Sequence, residues 1–312
     1  MRTFSHPGYK RFLLSVGCLL SIHFTALFFL TLFRLVFFFS ANYDFPDQEH
    51  VGFMSIWPAF IRGVWFDNVI ACYILLIPLV AVSISALFNY YGKILWNVTC
   101  IFFSLFYGIV LLVTAANIPY FQYFFKIINS SVFNWFGYMN TTAGMVFGET
   151  SYYPPLIGFL LTLVLFIWLM RRLIRHFQRL LNTKNPSVFW LDRIYIFLTA
   201  GICIGLCLFG IRGRTGYNPI KVSAAYYCTD PFLNQLGISP VFNLLSSTLD
   251  DSRKENRYLH LMPENEALEN TRHYLNRPGI EGISPIARQI NASDSLRRPN
   301  IVLIFMESMS AH

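Results

Sequence analysis

Apolar and polar positions along this chain fall into long blocks rather than the short alternations of a soluble domain. The first block, residues 12–39, runs for about 28 residues, longer than a signal-peptide core and enough for a tilted membrane-spanning helix. His23 and Arg34 interrupt it. The pattern puts Arg34 near the far end, where its stem can snorkel to the interface, and His23 in a hydrogen bond inside the bundle. Residues 40–68 read as a loop, and within it 56–66 mixes Trp57, Phe60, Trp65 and Phe66 with Arg62, which suits a short helix in the headgroup plane. Residues 69–88 form a second span with Pro78 as a kink, and 94–116 a third after a tight turn at 89–93.

The next stretch, 117–155, is rich in Tyr, Phe and Trp and carries only Lys126 and Glu149 as charges. Aromatics at that density favour the membrane boundary, so re-entrant or interfacial helices are expected there. Asn129, Ser130, Asn134 and Asn140 then either satisfy backbone groups or bind a lipid headgroup. A fourth span covers 156–170, extending to 173, and a fifth covers 190–211. Arg171, Arg172, Arg175, Arg179, Lys184 and Arg193 cluster around the connection between them. Basic loops stay in the cytoplasm, and Lys10, Arg11 and Lys93 agree with that assignment. Five crossings from a cytoplasmic N-terminus leave the C-terminal segment outside.

Three regions follow from this pattern: a five-helix transmembrane domain at 1–211, an extracytoplasmic interfacial linker with a surface helix at 212–299, and a strand within 300–312. Pro219, Pro231 and Pro240 punctuate small apolar clusters of the linker over 217–249. Over 263–277, Pro263 and Glu264, Glu266 and Glu269 suit a helix start, while Arg272 and Arg277 suit its end. Arg212 and Arg214, between Gly210, Gly213 and Gly216, emerge on the outer side against the usual charge bias. Two readings stand for them: a pair of guanidinium groups that holds a lipid phosphate, or interface anchoring with no ligand.

Composition sharpens the class. The chain is 55% hydrophobic, 18% aromatic and only 13% charged. Its mean hydropathy is +0.48. These values belong to a membrane protein. The net charge of +8 sits mostly beside apolar spans, where it sets orientation and meets anionic headgroups, so no nucleic-acid partner is read. Of six cysteines, five fall inside apolar segments and Cys228 stands outside them, which is no disulfide framework. Cys203 and Cys207, one helical turn apart, read as small packing residues.

The last stretch, Arg-Arg-Pro-Asn-Ile-Val-Leu-Ile-Phe-Met-Glu-Ser-Met from Arg297, has the apolar run of a strand buried on both faces, ending on Glu307. A carboxylate at the carboxyl end of a parallel strand is placed where α/β sheets bind ligands; the plainer reading is a surface Glu after a core strand.

Together with Ala116-Asn117-Ile118-Pro119-Tyr120-Phe121, Asn129-Ser130-Ser131-Val132-Phe133-Asn134-Trp135-Phe136, and Gly216-Tyr217-Asn218-Pro219-Ile220 through Phe232-Leu233-Asn234-Gln235, that final run resembles the lipoteichoic acid synthase family. Those are membrane-anchored phosphoglycerol transferases with an outer domain of the sulfatase and alkaline phosphatase superfamily. The resemblance implies that residues 300–312 are the first strand of a truncated α/β sulfatase-like domain and that Glu307 is a ligand of a divalent metal, usually manganese. It implies a threonine nucleophile that attacks a lipid-linked phosphodiester such as phosphatidylglycerol and releases diacylglycerol. It also implies a place in a bacterial cytoplasmic membrane. Nothing in the chain matches the nucleophile or the remaining Asp and His ligands, and Ser308 and Ser310 beside a lone carboxylate are poor substitutes. The chain is therefore expected to be inactive by itself and to bind no metal. Two other functions are weighed: a small transporter built from the spans, disfavoured by the scarcity of intramembrane charge, and a lipid-binding membrane module without catalysis.

Overall fold

The computed structural model describes residues 6–41, 53–181, 190–253, 261–276, 287 and 302–303. The described chain forms two compact units, Met1–Asn256 and Arg257–His312. The first unit is a helical bundle. Its long helices are α1 (Pro7–Ser40), α2 (Phe53–Leu87), α3 (Lys93–Phe124), α5 (Tyr153–Leu181) and α6 (Trp190–Arg212), with the short α4 (Met139–Gly148) between α3 and α5. All five long helices are long and apolar enough to cross a membrane, which makes this a multi-pass membrane protein.

Four of the five exceed their apolar runs. α1 has 34 residues, or about 51 Å at 1.5 Å per residue, against a hydrocarbon core of about 30 Å. Pro7 opens it at a first-turn position where a missing N–H costs nothing. α1 packs on α2, α3, α5 and α6 along one half of its circumference, while Leu13, Leu20, Phe24, Phe28 and Leu35 form an exposed apolar stripe on the other. Buried rings lock the layers: Phe29 meets Phe166 at 6.1 Å and Tyr107 meets Phe166 at 5.3 Å between centroids. Buried hydroxyls turn back on their own helices, as where Ser83 donates to the Leu79 carbonyl at 2.7 Å and Thr114 to that of Val110 at 2.7 Å.

The structure departs from the expected pattern at α2. Residues 56–66 are not a separate interfacial helix but the first turns of a continuous 35-residue helix that runs through Pro58 and Pro78. The polar groups that suggested a break are satisfied by other segments. Arg62 Nε donates to the Ala224 carbonyl at 3.2 Å and its guanidinium lies 4.5 Å from the Tyr227 ring centroid. At the other end of the bundle, Asp192 at the start of α6 is fully buried. It takes the Gly8 backbone N–H at 3.3 Å and pairs with His6 Nδ1 at 2.7 Å, tying α6 to the N-terminus of α1.

Past α6 the chain returns to the bundle through α7 (Pro231–Leu236) and α8 (Pro240–Ser252), each with proline in its first turn. Asp230 caps α7 by accepting the Leu233 N–H at 2.9 Å. Phe232, Leu233, Leu236, Ile238 and Val241 are all buried in the core of this unit. In the second unit, α9 (Glu264–Leu275) carries Glu264 and Glu266 in its first turn and Arg272 and His273 in its last, as its charge pattern predicts. Asn276, in the left-handed region at φ 51°, stops it. No strand occurs among the described residues. Of the strand expected within 300–312, only Val302 and Leu303 are described; they carry no regular structure and are 81% and 72% exposed rather than buried. Glu307 lies outside the described residues.

Candidate functional site

The stretches 116–121, 129–136 and 232–235, scattered in sequence, are knitted together where α3 ends. Asn117, 1% exposed, accepts the Ile128 backbone N–H at 3.0 Å. Gln235 of α7 accepts the Ile127 N–H at 3.1 Å and donates to the Phe125 carbonyl at 3.3 Å. Phe125 holds φ 53°, the left-handed conformation that closes α3 with a bond to the Phe121 carbonyl. Phe121 and Phe232 then pack with their rings tilted at 57° and 5.7 Å between centroids. Asn129 caps the 3-10 helix Ser130–Tyr138 by accepting the Ser131 N–H at 3.2 Å, and Asn243 of α8 donates to the Ile128 carbonyl at 2.9 Å. Of the two readings open for Asn129, it satisfies backbone groups. Asn134 and Asn140 are exposed.

The loop before α7 is braced in the same way. Asn234 accepts the Tyr227 N–H at 2.9 Å and donates to the Cys228 carbonyl at 2.7 Å. Tyr227 donates its hydroxyl to the Ser55 carbonyl at 2.6 Å. Burial foremost, reinforced by Cys228, holds the Tyr227 phenol above its ordinary pKa, with the Arg62 cation opposing.

Inside the bundle sits a charge cluster that sequence reading divided between a span and a loop. Arg34, 5% exposed, does not snorkel. Its Nη2 donates to Asp67 Oδ2 at 2.5 Å, and Nη1 donates to the Leu236 and Ile238 carbonyls at 2.5 and 3.2 Å. One residue on, Asn68 Oδ1 meets His23 Nε2 at 3.0 Å, so His23 does hydrogen-bond within the bundle. Gly63 leaves room for the guanidinium, since a Cβ there would lie 2.1 Å from Arg34 Cζ. Sequence reading placed Asp67 at the end of a loop; it lies instead within α2, where it meets Arg34 of α1. The cluster neutralises its own charge and clamps α1, α2 and the end of α7 together.

Arg212 ends α6 and Arg214 follows it in the turn. Arg212 Nη2 donates to the Gly216 and Tyr217 carbonyls, the latter at 2.8 Å, and so helps close the turn in which Gly213 adopts φ 74°. Trp65 Nε1 donates to the Gly213 carbonyl, fastening this turn to α2. Arg214 is exposed and has no hydrogen-bond partner among the described residues.

A cavity of about 570 Å³ lies beside α3 between Ser130–Tyr138, α4 and the start of α5. Leu112, Ala116 and Pro119 of α3 face Trp135, Val146 and Phe159 across it. Its walls hold no Asp, Glu, Lys, Arg or His.

No match was found. The comparison covered family models, curated proteins and solved structures. Among the described residues no three His, Cys, Asp or Glu side chains converge on a point.

Proposed function

We propose that this chain is the membrane-embedded portion of a sulfatase-family phosphoglycerol transferase that acts on an anionic lipid such as phosphatidylglycerol at the extracytoplasmic face of a bacterial membrane. The observation that carries the reading is the junction of residues 116–121, 129–136 and 232–235. Stretches singled out by their resemblance to that family form one hydrogen-bonded platform at the end of α3. In this reading the five spans anchor the platform, Arg212 and Arg214 meet lipid phosphates at headgroup height, and the segment ending in Glu307 begins the metal-binding domain. The nucleophile and remaining ligands are not among these 312 residues. No chemical step is assigned to any residue of the chain.

The test has a genetic and a biochemical arm. The coding sequence is read past the codon for His312, where the proposal expects an in-frame Thr or Ser followed by Asp and His ligands. Both the continued chain and the 312-residue chain are then placed in phosphatidylglycerol liposomes with Mn²⁺, and released diacylglycerol is measured. Release by the continued chain alone is the expected result. A frame lacking those residues, or release by neither chain, removes the assignment, and turnover by the 312-residue chain removes the claim that it is incomplete.

A further inference from the structure

The cavity beside α3 asks for an occupant of its own. At about 570 Å³ it falls within the range of about 300–1,000 Å³ typical of small-ligand sites. An apolar cavity of this kind does not hold ordered water, which needs two to four polar partners. Its rim reaches the exposed apolar surface of the helices that wall it: the lining residue Leu112 on α3 is 47% exposed, and Ile157 and Leu160, next in sequence to the lining residues Leu156 and Phe159 of α5, are exposed as well. Its lining carries no ionisable acid or base to balance a phosphate or an ammonium. The polar groups it does offer are neutral hydroxyls. Tyr123 and Tyr138, 71% and 73% exposed and so at its mouth, have hydroxyls with no protein hydrogen-bond partner among the described residues, whereas Tyr120 is directed to Asn129 and Thr142 to backbone carbonyls.

We propose that this cavity binds a neutral diacylglycerol that enters sideways from the adjoining leaflet. Its acyl chain lies along Ala116, Pro119 and Phe159, and its glycerol hydroxyl and ester oxygens meet the free tyrosine hydroxyls. Charge complementarity selects this occupant over a phospholipid, since an uncharged wall gives nothing to an anionic headgroup. The inference stands on the cavity lining and not on the phosphoglycerol reading. The two meet because diacylglycerol is what that reaction would release.

The test uses the full chain in phosphatidylcholine nanodiscs with photoactivatable acyl probes of diacylglycerol and of phosphatidylglycerol, at equal mole fraction, followed by peptide mapping. Turnover plays no part in the readout, so a failure here is distinct from a failure of the transferase assignment. Labelling within 112–159 by the diacylglycerol probe, about tenfold over phosphatidylglycerol, is expected. Ala116→Trp and Leu112→Trp each fill the cavity and lower that labelling about tenfold, while Ile101→Trp, exposed on the same helix but outside the lining, leaves it unchanged. Two filling variants guard against one that misfolds. Equal labelling by both probes overturns the choice of occupant. Labelling spread evenly over the lipid-facing helices, or indifferent to both filling variants, overturns the site.

Discussion

Taking the charge from Asp67 would leave Arg34, 5% exposed, with only carbonyl oxygens to balance its guanidinium. Breaking one side of a buried ion pair costs about 3–5 kcal/mol, whereas replacing both partners with apolar residues of similar size is often neutral. Asp67→Asn should therefore lower the thermal midpoint in nanodiscs sharply, and Arg34→Met with Asp67→Leu should recover most of the loss. An Asp67→Asn protein as stable as the parent would show that the pair does not clamp the bundle. Tyr91 is the opposite case. Its hydroxyl is buried without a partner, and burial, partly opposed by the Arg11 cation 4.7 Å from the ring centroid, pushes the phenol up to about 12. A pKa raised above the unfolded value of about 10 gives stability that is full below pH 10 and lost as pH climbs through about 12. Tyr91→Phe should match or exceed the parent by about 1 kcal/mol near neutrality, because it removes an unsatisfied group. The gap should widen between pH 10 and 12. Parallel melting curves across that window check both parts, and a variant that loses more than the parent at high pH contradicts the sign.

Helix α2 is where residues become architecture. A run carrying Arg62 and Asp67 looks interrupted when its charges are counted singly, yet the helix continues because each charge finds its partner on another element. Gly63 makes this possible by leaving α2 without a side chain where the Arg34 guanidinium lies. Gly63→Ala gains helix propensity of about 1 kcal/mol but displaces Arg34, and the second effect should dominate. The expected result is a lower thermal midpoint and faster proteolysis around 222–238, where the Leu236 and Ile238 carbonyls lose their donor. A stabilised Gly63→Ala protein would mean that the guanidinium has somewhere else to go.

For the whole molecule, the governing quantity is the number of crossings. Five spans put the two ends of the bundle on opposite sides of the bilayer, and the basic residues that follow the fourth span predict a cytoplasmic place for the connection they flank. A tag after His312 should be degraded by protease added to intact spheroplasts, and a tag in 182–189 should be protected. Protection of the first tag would reverse the orientation and take the platform at the end of α3 away from the outer face.

The spans were legible in the chain because crossing a bilayer is a local requirement: about 20 consecutive apolar residues satisfy it wherever they occur. The charge gradient of α9 was legible for the same reason, since a helix end answers to its nearest residues, whereas Pro231 and Pro240, read as linker punctuation, open α7 and α8. The ion pair of Arg34 and Asp67, the bridges from Asn117 and Gln235, and the cavity beside α3 were not. Each depends on the distance between atoms on different segments, from 11 residues apart for Asn117 and Ile128 to 204 for Arg34 and the Ile238 carbonyl, and no local pattern encodes such a distance. Hydropathy decided how many rods the chain makes; their packing decided which charges are hidden, which backbone groups are shared and where an uncharged hollow is left.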